Sequence, residues 1–251
     1  MTFVRINDGR ERQLTFYLAM EEYLARNAVD LAKDDLFFIW QVGPTVIFGR
    51  NQDIEAEVNI SFCRENEIEF FRRKSGGGCV YADRGNVMIS YITPNTNVCE
   101  VFAGYLDSLS NALCGLGFDA VKTEHNDILI SGRKVSGNAF YALPHSSIVH
   151  GTLLYDVDFE MMSLAITPSR EKLNSHGVKS VRQRVINLKD LAEQRVGGLD
   201  GLSIDAVCNH LISSFCDGEF VLDDEDVKKI EVIERDYLDE KFILGRYVNL
   251  T

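Results

Sequence analysis

The sequence has 251 residues, of which 45% are hydrophobic and 25% are charged. These proportions are those of an ordinary globular chain, and they exclude long-range disorder, a collagen-like repeat and a coiled coil. With 26 Lys and Arg against 38 Asp and Glu, the formal net charge is −12. This excess of acid argues against non-specific binding to nucleic acid or to an anionic membrane, because both require a dense positive surface.

The compartment is predicted from targeting signals and cysteines. No stretch approaches the roughly 18 to 20 consecutive apolar residues of a membrane span. The first residues carry charges where an export signal would be apolar, so the prediction is cytoplasmic. Six cysteines occur without a C-x-x-C pair and are predicted to be reduced and mostly buried: Cys63, Cys79, Cys99, Cys114, Cys208 and Cys216.

The first half of the chain predicts two helices and a group of strands. Apolar residues at helical spacing from Phe16 to Leu24 predict a helix of about three turns that ends near Asn27. Apolar residues spaced four and three apart from Phe102 to Leu116 predict a second, longer helix. Segments rich in aromatic and β-branched residues predict strands of a largely antiparallel sheet at 36–42, 45–50, 69–73 and 86–93.

The second half predicts more strands and then helices. Alternating apolar and polar residues at 126–143 and 146–158 predict a half-covered sheet. Ser203 is predicted to cap a helix with an apolar face. The acidic run 223–226 is predicted to start another helix rather than to bind a metal, because carboxylates stabilise helix N-termini. A loop is predicted at 197–201. No repeat or long linker divides the chain, so the organisation predicted is a single α+β domain over residues 1–251.

The first candidate site is the segment RRKSGGGCVY at 72–81. Three glycines after a predicted strand leave their backbone N–H groups unshielded, so that an anion can approach them. Arg72, Arg73 and Lys74 precede the glycines, and a guanidinium matches phosphate or carboxylate geometry. The segment lacks the spacing of a P-loop. It therefore predicts an anion site, with a flexible hairpin carrying solvated charges as the alternative.

Three further candidates lie downstream. Lys134, in the segment GRKVSGNA, follows Asn126 and Asp127 and is suited to a developing negative charge, although single lysines are more often solvated. Asp127 is a candidate ligand of Mg²⁺ or a cap of the turn. His150 precedes an apolar strand and is either a site residue or a structural group. In the segment 177–188, cations alternate with apolar residues, which suggests either an anion contact or a polar strand edge. These cations are Lys179, Arg182 and Arg184.

Together these motifs resemble those of the lipoate-protein ligase A family, within the biotin and lipoate ligase superfamily. The resemblance rests on RRKSGGGCVY, NDI, GRKVSGNA, HGTLL and GVKSVRQRVINL, in that order and at similar spacing, and it covers about residues 10 to 216. It implies an α+β catalytic domain of mixed, largely antiparallel sheets flanked by helices. It also implies that lipoate and ATP form lipoyl-AMP, from which the lipoyl group passes to a lysine of an acceptor's lipoyl domain.

The resemblance also implies roles for residues. Arg73 and the Gly76–Gly78 loop would hold the nucleotide phosphates, and Lys134 would contact the lipoate carboxylate and the α-phosphate. Asp127 would help to hold Mg²⁺. The remaining residues assigned to binding of ATP or lipoyl-AMP are Ser75, Cys79, Val80, Tyr81, Asn126, His150 and Arg184. Strand positions suggest an apolar slot for the lipoyl tail at Trp40, Phe48 and Val149.

Two departures from the family pattern bear on mechanism. Members of the family usually carry a histidine where this chain has Ala82, and many carry a separate C-terminal domain of about a hundred residues that is not expected within 1–251. A separate accessory protein is therefore one expected partner. The others are lipoyl-domain acceptors, either the glycine cleavage H protein or 2-oxoacid dehydrogenase E2 subunits. The alternative functions are an acyl transferase that uses a cysteine thioester, and a non-catalytic lipoate-binding module.

Overall fold

The computed structural model describes residues 1–31, 35–166, 184–194 and 202–245. Within these ranges the chain forms eleven strands: β1 (Thr2–Ile6), β2 (Leu36–Trp40), β3 (Thr45–Phe48), β4 (Glu69–Arg72), β5 (Val80–Ala82), β6 (Asn86–Thr93), β7 (Ala120–Lys122), β8 (Asp127–Ile130), β9 (Arg133–Leu143), β10 (Ser146–Leu154) and β11 (Gly218–Leu222). The same ranges contain nine helices: α1 (Leu14–Leu31), α2 (Ile54–Glu57), α3 (Ile60–Glu65), α4 (Val98–Gly115), α5 (Phe159–Ala165), α6 (Leu188–Glu193), α7 (Ile204–Phe215), α8 (Asp224–Leu238) and α9 (Glu240–Ile243).

The strands form two sheets. The larger sheet has the order β11-β1-β2-β6-β10-β9-β8-β7, and the smaller sheet has the order β4-β3-β5. In the larger sheet β1 runs parallel to both of its neighbours, whereas every pair from β2 to β7 is antiparallel. The predicted fold class, α+β with largely antiparallel sheets flanked by helices, is therefore confirmed.

Helices cover both faces of the larger sheet. On one face, α1 and α8 pack over apolar side chains such as Phe38, Met88 and Ile92. On the other face, α4 and α7 pack over Val87 and Ile89. Because successive side chains of a strand point to opposite faces, the central strand β6 is buried along its whole length. This explains why its sequence is almost continuously apolar.

A tight hairpin carries the segment around Lys134. Strands β8 and β9 are antiparallel and are joined by Ser131 and Gly132, both of which have positive φ angles of 51° and 73°. Positive φ at both central residues is the pattern of a type I′ turn, whose twist matches that of the strands it joins. The hairpin therefore fixes the position of Lys134 one residue after the start of β9.

Several predicted elements are confirmed and others differ in length. Strand β6 has the predicted bounds, Ser203 caps α7, and Asp223 caps α8 with a reciprocal capping box. Helix α1 has 18 residues and exceeds the predicted three turns, because its buried stripe already begins at Leu14. Strands β2 and β3 stop two residues earlier than predicted. The predicted loop at 197–201 lies outside the described residues.

The prediction for the cysteines was partly wrong. All six are free, but only Cys63 is buried, while Cys99 and Cys114 are exposed on α4. Helix α4 is amphipathic, and these two residues lie away from the apolar face that contacts the sheet. Among the described helices, none has both the length and the hydropathy required to cross a membrane.

The packing of α4 gives a prediction for stability. Leu109 is fully buried between α4 and the larger sheet, so Leu109→Ala should lower the free energy of unfolding by about 2 to 5 kcal/mol. Val232 on α8 is 58% exposed, so the control Val232→Ala should change it by less than about 0.5 kcal/mol. Urea denaturation measures both values. Equal losses would contradict this assignment of the core.

Candidate functional site

A cavity of about 360 Å³ brings together residues from both sheets and from helices α1 and α5. One part of its wall is apolar and is formed by side chains that include Leu18, Trp40, Ile47, Val80 and Met88. The other part carries polar and cationic groups, including Arg73, Asn126, Lys134, Asn138 and His150. An apolar wall next to convergent polar groups is typical of a site for a ligand with an anionic head and a hydrocarbon tail.

The structure brings most of the predicted site residues to this cavity. Those that line it are Arg73, Gly77, Gly78, Cys79, Val80, Tyr81, Asn126, Lys134, His150 and, in the apolar wall, Trp40. Ser75 is buried behind the wall, and Gly76 is exposed beside it. Arg184 is exposed and does not line the cavity, although the adjacent Val185 does. Lys179 and Arg182 lie outside the described residues.

The prediction that Phe48 and Val149 line the apolar slot was wrong. Phe48 and Val149 are fully buried in apolar clusters away from the cavity, whereas their strand neighbours Ile47 and His150 line it. Side chains alternate between the two faces of a strand, so an error of one residue in register selects the wrong face. The same alternation explains why Thr152, two residues after His150, also lines the cavity.

The glycine loop at 76–78 presents three backbone N–H groups. No other described residue accepts a hydrogen bond from any of these three amides. Gly77 has φ +93°, and a Cβ atom at this position would lie 2.9 Å from a terminal nitrogen of Arg73. Glycine is therefore required at 77 both by backbone conformation and by close approach. Successive unpaired amides of this kind form an anion-binding nest.

The buried side chain of Arg73 holds this loop in place by hydrogen bonds. It is 5% exposed, and its guanidinium donates to Ser75 Oγ at 3.0 Å and to the carbonyl oxygens of Ile47, Gly76 and Gly78 at 2.7 to 3.2 Å. Burial lowers the pKa of Arg73 to about 10, so it stays cationic at neutral pH. No described carboxylate forms a salt bridge with it. Its positive charge therefore favours an anion in the adjacent cavity, while its N–H groups order the loop.

The other two predicted cations do not contribute to the cavity. Arg72 is buried and donates to carbonyl oxygens of the 49–52 turn and of α9, such as Gln52 at 2.7 Å and Phe242 at 3.0 Å. Lys74 pairs with Glu22 at 2.7 Å and lies over the Tyr237 ring. Both side chains tie the C-terminal helices to the body of the fold. The prediction that all three cations serve one anion site was therefore wrong.

The side chain of Lys134, on β9, lines the cavity. Its Nζ is 2.7 Å from Asp127 Oδ1, so Asp127 forms an ion pair with the lysine. A Cβ atom on Gly137 would lie 2.6 Å from both Cε and Nζ of Lys134. The glycine thus provides the space that the lysine side chain occupies. Among the described residues, no group of three His, Cys, Asp or Glu side chains could hold a metal ion.

Two asparagines connect the polar wall. Asn126 Nδ2 donates to the Asn138 carbonyl oxygen at 2.7 Å, and Asn138 Nδ2 donates to the Asn126 carbonyl oxygen at 3.0 Å. A Cβ atom on Gly151 would lie 1.9 Å from Asn138 Oδ1. Gly151 thus makes room for Asn138, which the sequence analysis did not single out. The signal available in the sequence was its place in GRKVSGNA, directly after Gly137.

His150 is joined to two buried side chains. Its Nε2 is 2.7 Å from Ser75 Oγ, and its Nδ1 is 2.8 Å from Glu21 Oε2. Glu21 lies on α1, is 3% exposed, and was not identified from the sequence. Within the described residues, these contacts link α1, β10 and the glycine loop. They explain why Ser75 belongs to the site although it does not line the cavity.

Cys79 lines the cavity, but it is poorly suited to nucleophilic catalysis. Burial, the largest cause, raises the pKa of its thiol to about 12 despite the nearby charge of Arg73. The nucleophile in thioester chemistry is the thiolate, which is scarce at neutral pH for such a group. The geometry therefore favours a packing role for Cys79.

Comparison with known proteins places these features in a family. Residues 13–216 match the family model of the lipoyl protein ligase A/B catalytic domain. Lipoate–protein ligase 1 of Staphylococcus aureus is 33% identical over 228 residues, which are 88% of this chain and 67% of that protein. Lipoate-protein ligase LplJ of Bacillus subtilis is 35% identical over 192 residues, which are 76% of this chain and 56% of that protein. The chain thus spans between about half and two thirds of the length of these relatives.

Solved structures share the fold. A bipartite lipoate protein ligase of Thermoplasma acidophilum, studied with its E2 lipoyl domain, has a TM-score of 0.84 and 25% identity, with coverage of 99% of this chain and 97% of that chain. A lipoate-protein ligase A bound with ATP has a TM-score of 0.81 and 23% identity, with coverage of 97% and 98%. The latter comparison supports the fold alone.

The glycine loop gives a prediction for anion binding. Gly77→Ala should weaken binding of inorganic pyrophosphate about tenfold, because a left-handed conformation costs a non-glycine residue about 1 to 2 kcal/mol and the new Cβ displaces Arg73. No atom of the described residues lies within 4 Å of the Cβ position at Gly76, so the control Gly76→Ala, which also keeps the backbone amide, should change binding less than about threefold. Isothermal calorimetry measures both. Equal effects would show that loop geometry does not control the anion.

Proposed function

Because the chain belongs to the lipoyl protein ligase A/B catalytic domain family, we propose that it activates lipoate with ATP and transfers the lipoyl group to a protein lysine. The observation that carries this proposal is the glycine loop, where three amides that have no acceptor among the described residues lie next to the buried guanidinium of Arg73. This arrangement supplies hydrogen-bond donors and positive charge to phosphate oxygens. The apolar wall beside it suits the lipoyl tail.

The first reaction step brings two anions together. A lipoate carboxylate oxygen attacks the α-phosphorus of ATP, the bond to the β-phosphate oxygen breaks, and pyrophosphate leaves with that electron pair. Lys134 is the group placed to neutralise both partners, since its Nζ can leave Asp127 for the carboxylate and the α-phosphate. The glycine amides hold the remaining phosphate oxygens. Preorganised donors of this kind reduce the repulsion that slows the uncatalysed reaction.

In the second step the acceptor lysine amine attacks the acyl carbon of lipoyl-AMP, and AMP leaves. The amide product forms, and the amine loses a proton. The acceptors we propose are lipoyl domains, either the glycine cleavage H protein or 2-oxoacid dehydrogenase E2 subunits. An accessory polypeptide is a further part of the proposal, supported by the similarity to a ligase described as bipartite. All six cysteines are free, which supports a reducing, cytoplasmic location.

Among the described residues, the site offers one carboxylate, Asp127, as a ligand for Mg²⁺. Asp127 does not line the cavity, but its Oδ1 pairs at 2.7 Å with Lys134, which does. Mg²⁺ is usually held by one or two carboxylates together with substrate phosphates and water. A single carboxylate therefore fits an ion that arrives with ATP, and Asp127 would supply one oxygen to it. The ion would neutralise phosphate charge during departure of pyrophosphate.

Adenylate formation tests the proposal. The chain incubated with ATP, Mg²⁺ and lipoate, without an acceptor, should yield lipoyl-AMP detectable by mass spectrometry. Lys134→Ala should lower the yield at least about a hundredfold, because one charged contact to the transition state is worth roughly 3 kcal/mol or more. Lys189 forms an exposed pair with Asp156 and provides the control, since Lys189→Ala should retain the wild-type yield. Near wild-type turnover by Lys134→Ala would refute the assignment.

Cys79→Ala separates the ligase from the thioester transferase. Because its thiol is protonated and packed, the substitution should leave lipoyl transfer within about threefold of the wild type. A transferase that uses this thiol would lose all activity and would show an acylated Cys79 in the wild type. Intact-mass analysis after incubation with an octanoyl-carrier donor measures that adduct directly.

A further inference from the structure

We propose that Glu21 is a positioning residue that holds the acyl slot and the phosphate cradle in one arrangement. It does so through hydrogen bonds to His150, which lines the cavity, and to Ser90, which accepts from Trp40 of the apolar wall, without touching substrate itself. The inference rests on the proposed function, since it assigns a role to Glu21 within that same site. It concerns a residue that lies on α1, outside every motif from which the site was predicted.

The register of the sheet places two partners beside Glu21. Ser90 on β6 and His150 on β10 are directly paired across the two strands. Helix α1 packs over these strands and brings the Glu21 carboxylate to both side chains. Ser90 Oγ donates to Glu21 Oε1 at 2.5 Å, and His150 Nδ1 lies 2.8 Å from Glu21 Oε2. Each carboxylate oxygen therefore has its own partner.

The hydrogen bonds around Glu21 form two branches, and the branch on the side of the apolar wall begins at Trp40. The indole Nε1 donates to Ser90 Oγ at 2.9 Å, so the hydroxyl proton of Ser90 is free to go to Glu21. Trp40 also stacks on Tyr17 at a ring-centroid distance of 4.6 Å and lines the apolar wall of the cavity. The orientation of this wall is thus connected to Glu21 through a single hydroxyl.

The other branch, on the side of the glycine loop, begins at Arg73. Its Nε donates to Ser75 Oγ at 3.0 Å, and we infer that the Ser75 hydroxyl donates in turn to His150 Nε2, which lies 2.7 Å away. With Nε2 accepting, the neutral imidazole carries its proton on Nδ1 and donates it to Glu21. Both branches of hydrogen bonds then converge on the Glu21 carboxylate. The tautomer follows from this order of donors and acceptors.

A carboxamide cannot replace the carboxylate in this array. If the amide oxygen of a glutamine accepts from His150, its NH₂ group faces Ser90, whose hydroxyl proton then has no acceptor. If the NH₂ group faces His150, the imidazole must carry its proton on Nε2, and the Ser75 hydroxyl proton loses its acceptor. Either orientation leaves one buried donor unpaired, which is costly in a buried network. Glu21→Gln is therefore a specific disturbance with almost no change in shape.

The experiment compares Glu21→Gln with Glu22→Gln in the full chain. Glu22 is the next residue on α1 and is equally buried, but its partners are Lys74, Arg26 and the Tyr237 hydroxyl, away from the cavity. Isothermal calorimetry measures the dissociation constant of ATP with Mg²⁺ for each protein, at a temperature below the melting transition of both. We expect Glu21→Gln to weaken ATP binding about tenfold, the order of effect for one unpaired buried donor. Glu22→Gln should weaken it less than twofold.

A spectroscopic measurement reports the tautomer. Two-dimensional ¹H–¹⁵N spectra of the imidazoles, with His150 assigned by a His150→Asn variant, should show a protonated Nδ1 and an unprotonated Nε2 in the wild type at neutral pH. Glu21→Gln should change these ¹⁵N shifts, and Glu22→Gln should not. Loss of general stability alone would leave the tautomer of the folded protein unchanged. This readout remains available on the wild type if Glu21→Gln fails to fold.

The proposal is overturned if the wild type carries the Nε2–H tautomer or an imidazolium. It is also overturned if the dissociation constant of Glu21→Gln is less than fivefold above that of Glu22→Gln. Failure of the proposed function gives a different result, namely absence of lipoyl-AMP from the wild-type protein. The tautomer of His150 and the effect of Glu21→Gln on it remain measurable in that case.

Discussion

The buried guanidinium of Arg73 is the group on which the geometry of the site depends. Its donors are taken up by the carbonyl oxygens of Ile47, Gly76 and Gly78 and by Ser75 Oγ, which fixes the conformation of the loop beside the cavity. Carbonyl groups are neutral dipoles, so the guanidinium keeps its positive charge although it is hydrogen-bonded to them. That charge favours a phosphate or carboxylate, in a chain whose net charge of −12 would otherwise repel anions. The same interaction thus shapes the cradle and attracts its ligand.

The two sheets and α1 converge on this cradle. Strand β3 of the smaller sheet provides the Ile47 carbonyl oxygen, β10 of the larger sheet provides His150, and α1 provides Glu21, which contacts His150. Glycines at 137 and 151 open space for Lys134 and Asn138 by omitting a single Cβ atom each. The glycines of the motifs therefore have three uses: presentation of amides, left-handed backbone, and clearance for neighbouring side chains.

Sequence reasoning recovered those features that depend on local chemistry. The apolar stretch of β6 and the Ser203 cap each have a cause within a few residues, and the structure agrees with them. The glycine loop also has a local cause, and the structure brings Gly77 and Gly78 to the cavity, while its role in anion binding stays a prediction. Features that depend on packing of distant elements were not predictable in the same way. Phe48 and Val149 were assigned to the wrong face because a one-residue register decides which side chain meets the cavity. Glu21 lies in a helix, where the sequence alone predicts that an acidic residue is solvated. Its burial becomes evident only from the packing of that helix on the sheet.

The proposed function requires the amides of Gly76, Gly77 and Gly78 to receive the phosphates. Titration of ¹⁵N-labelled protein with ATP and Mg²⁺, followed by amide chemical shifts, observes each of these donors individually. We expect large shifts at all three glycines that saturate at one common dissociation constant. Saturable ATP binding that leaves these three amides unshifted while other residues respond would contradict it.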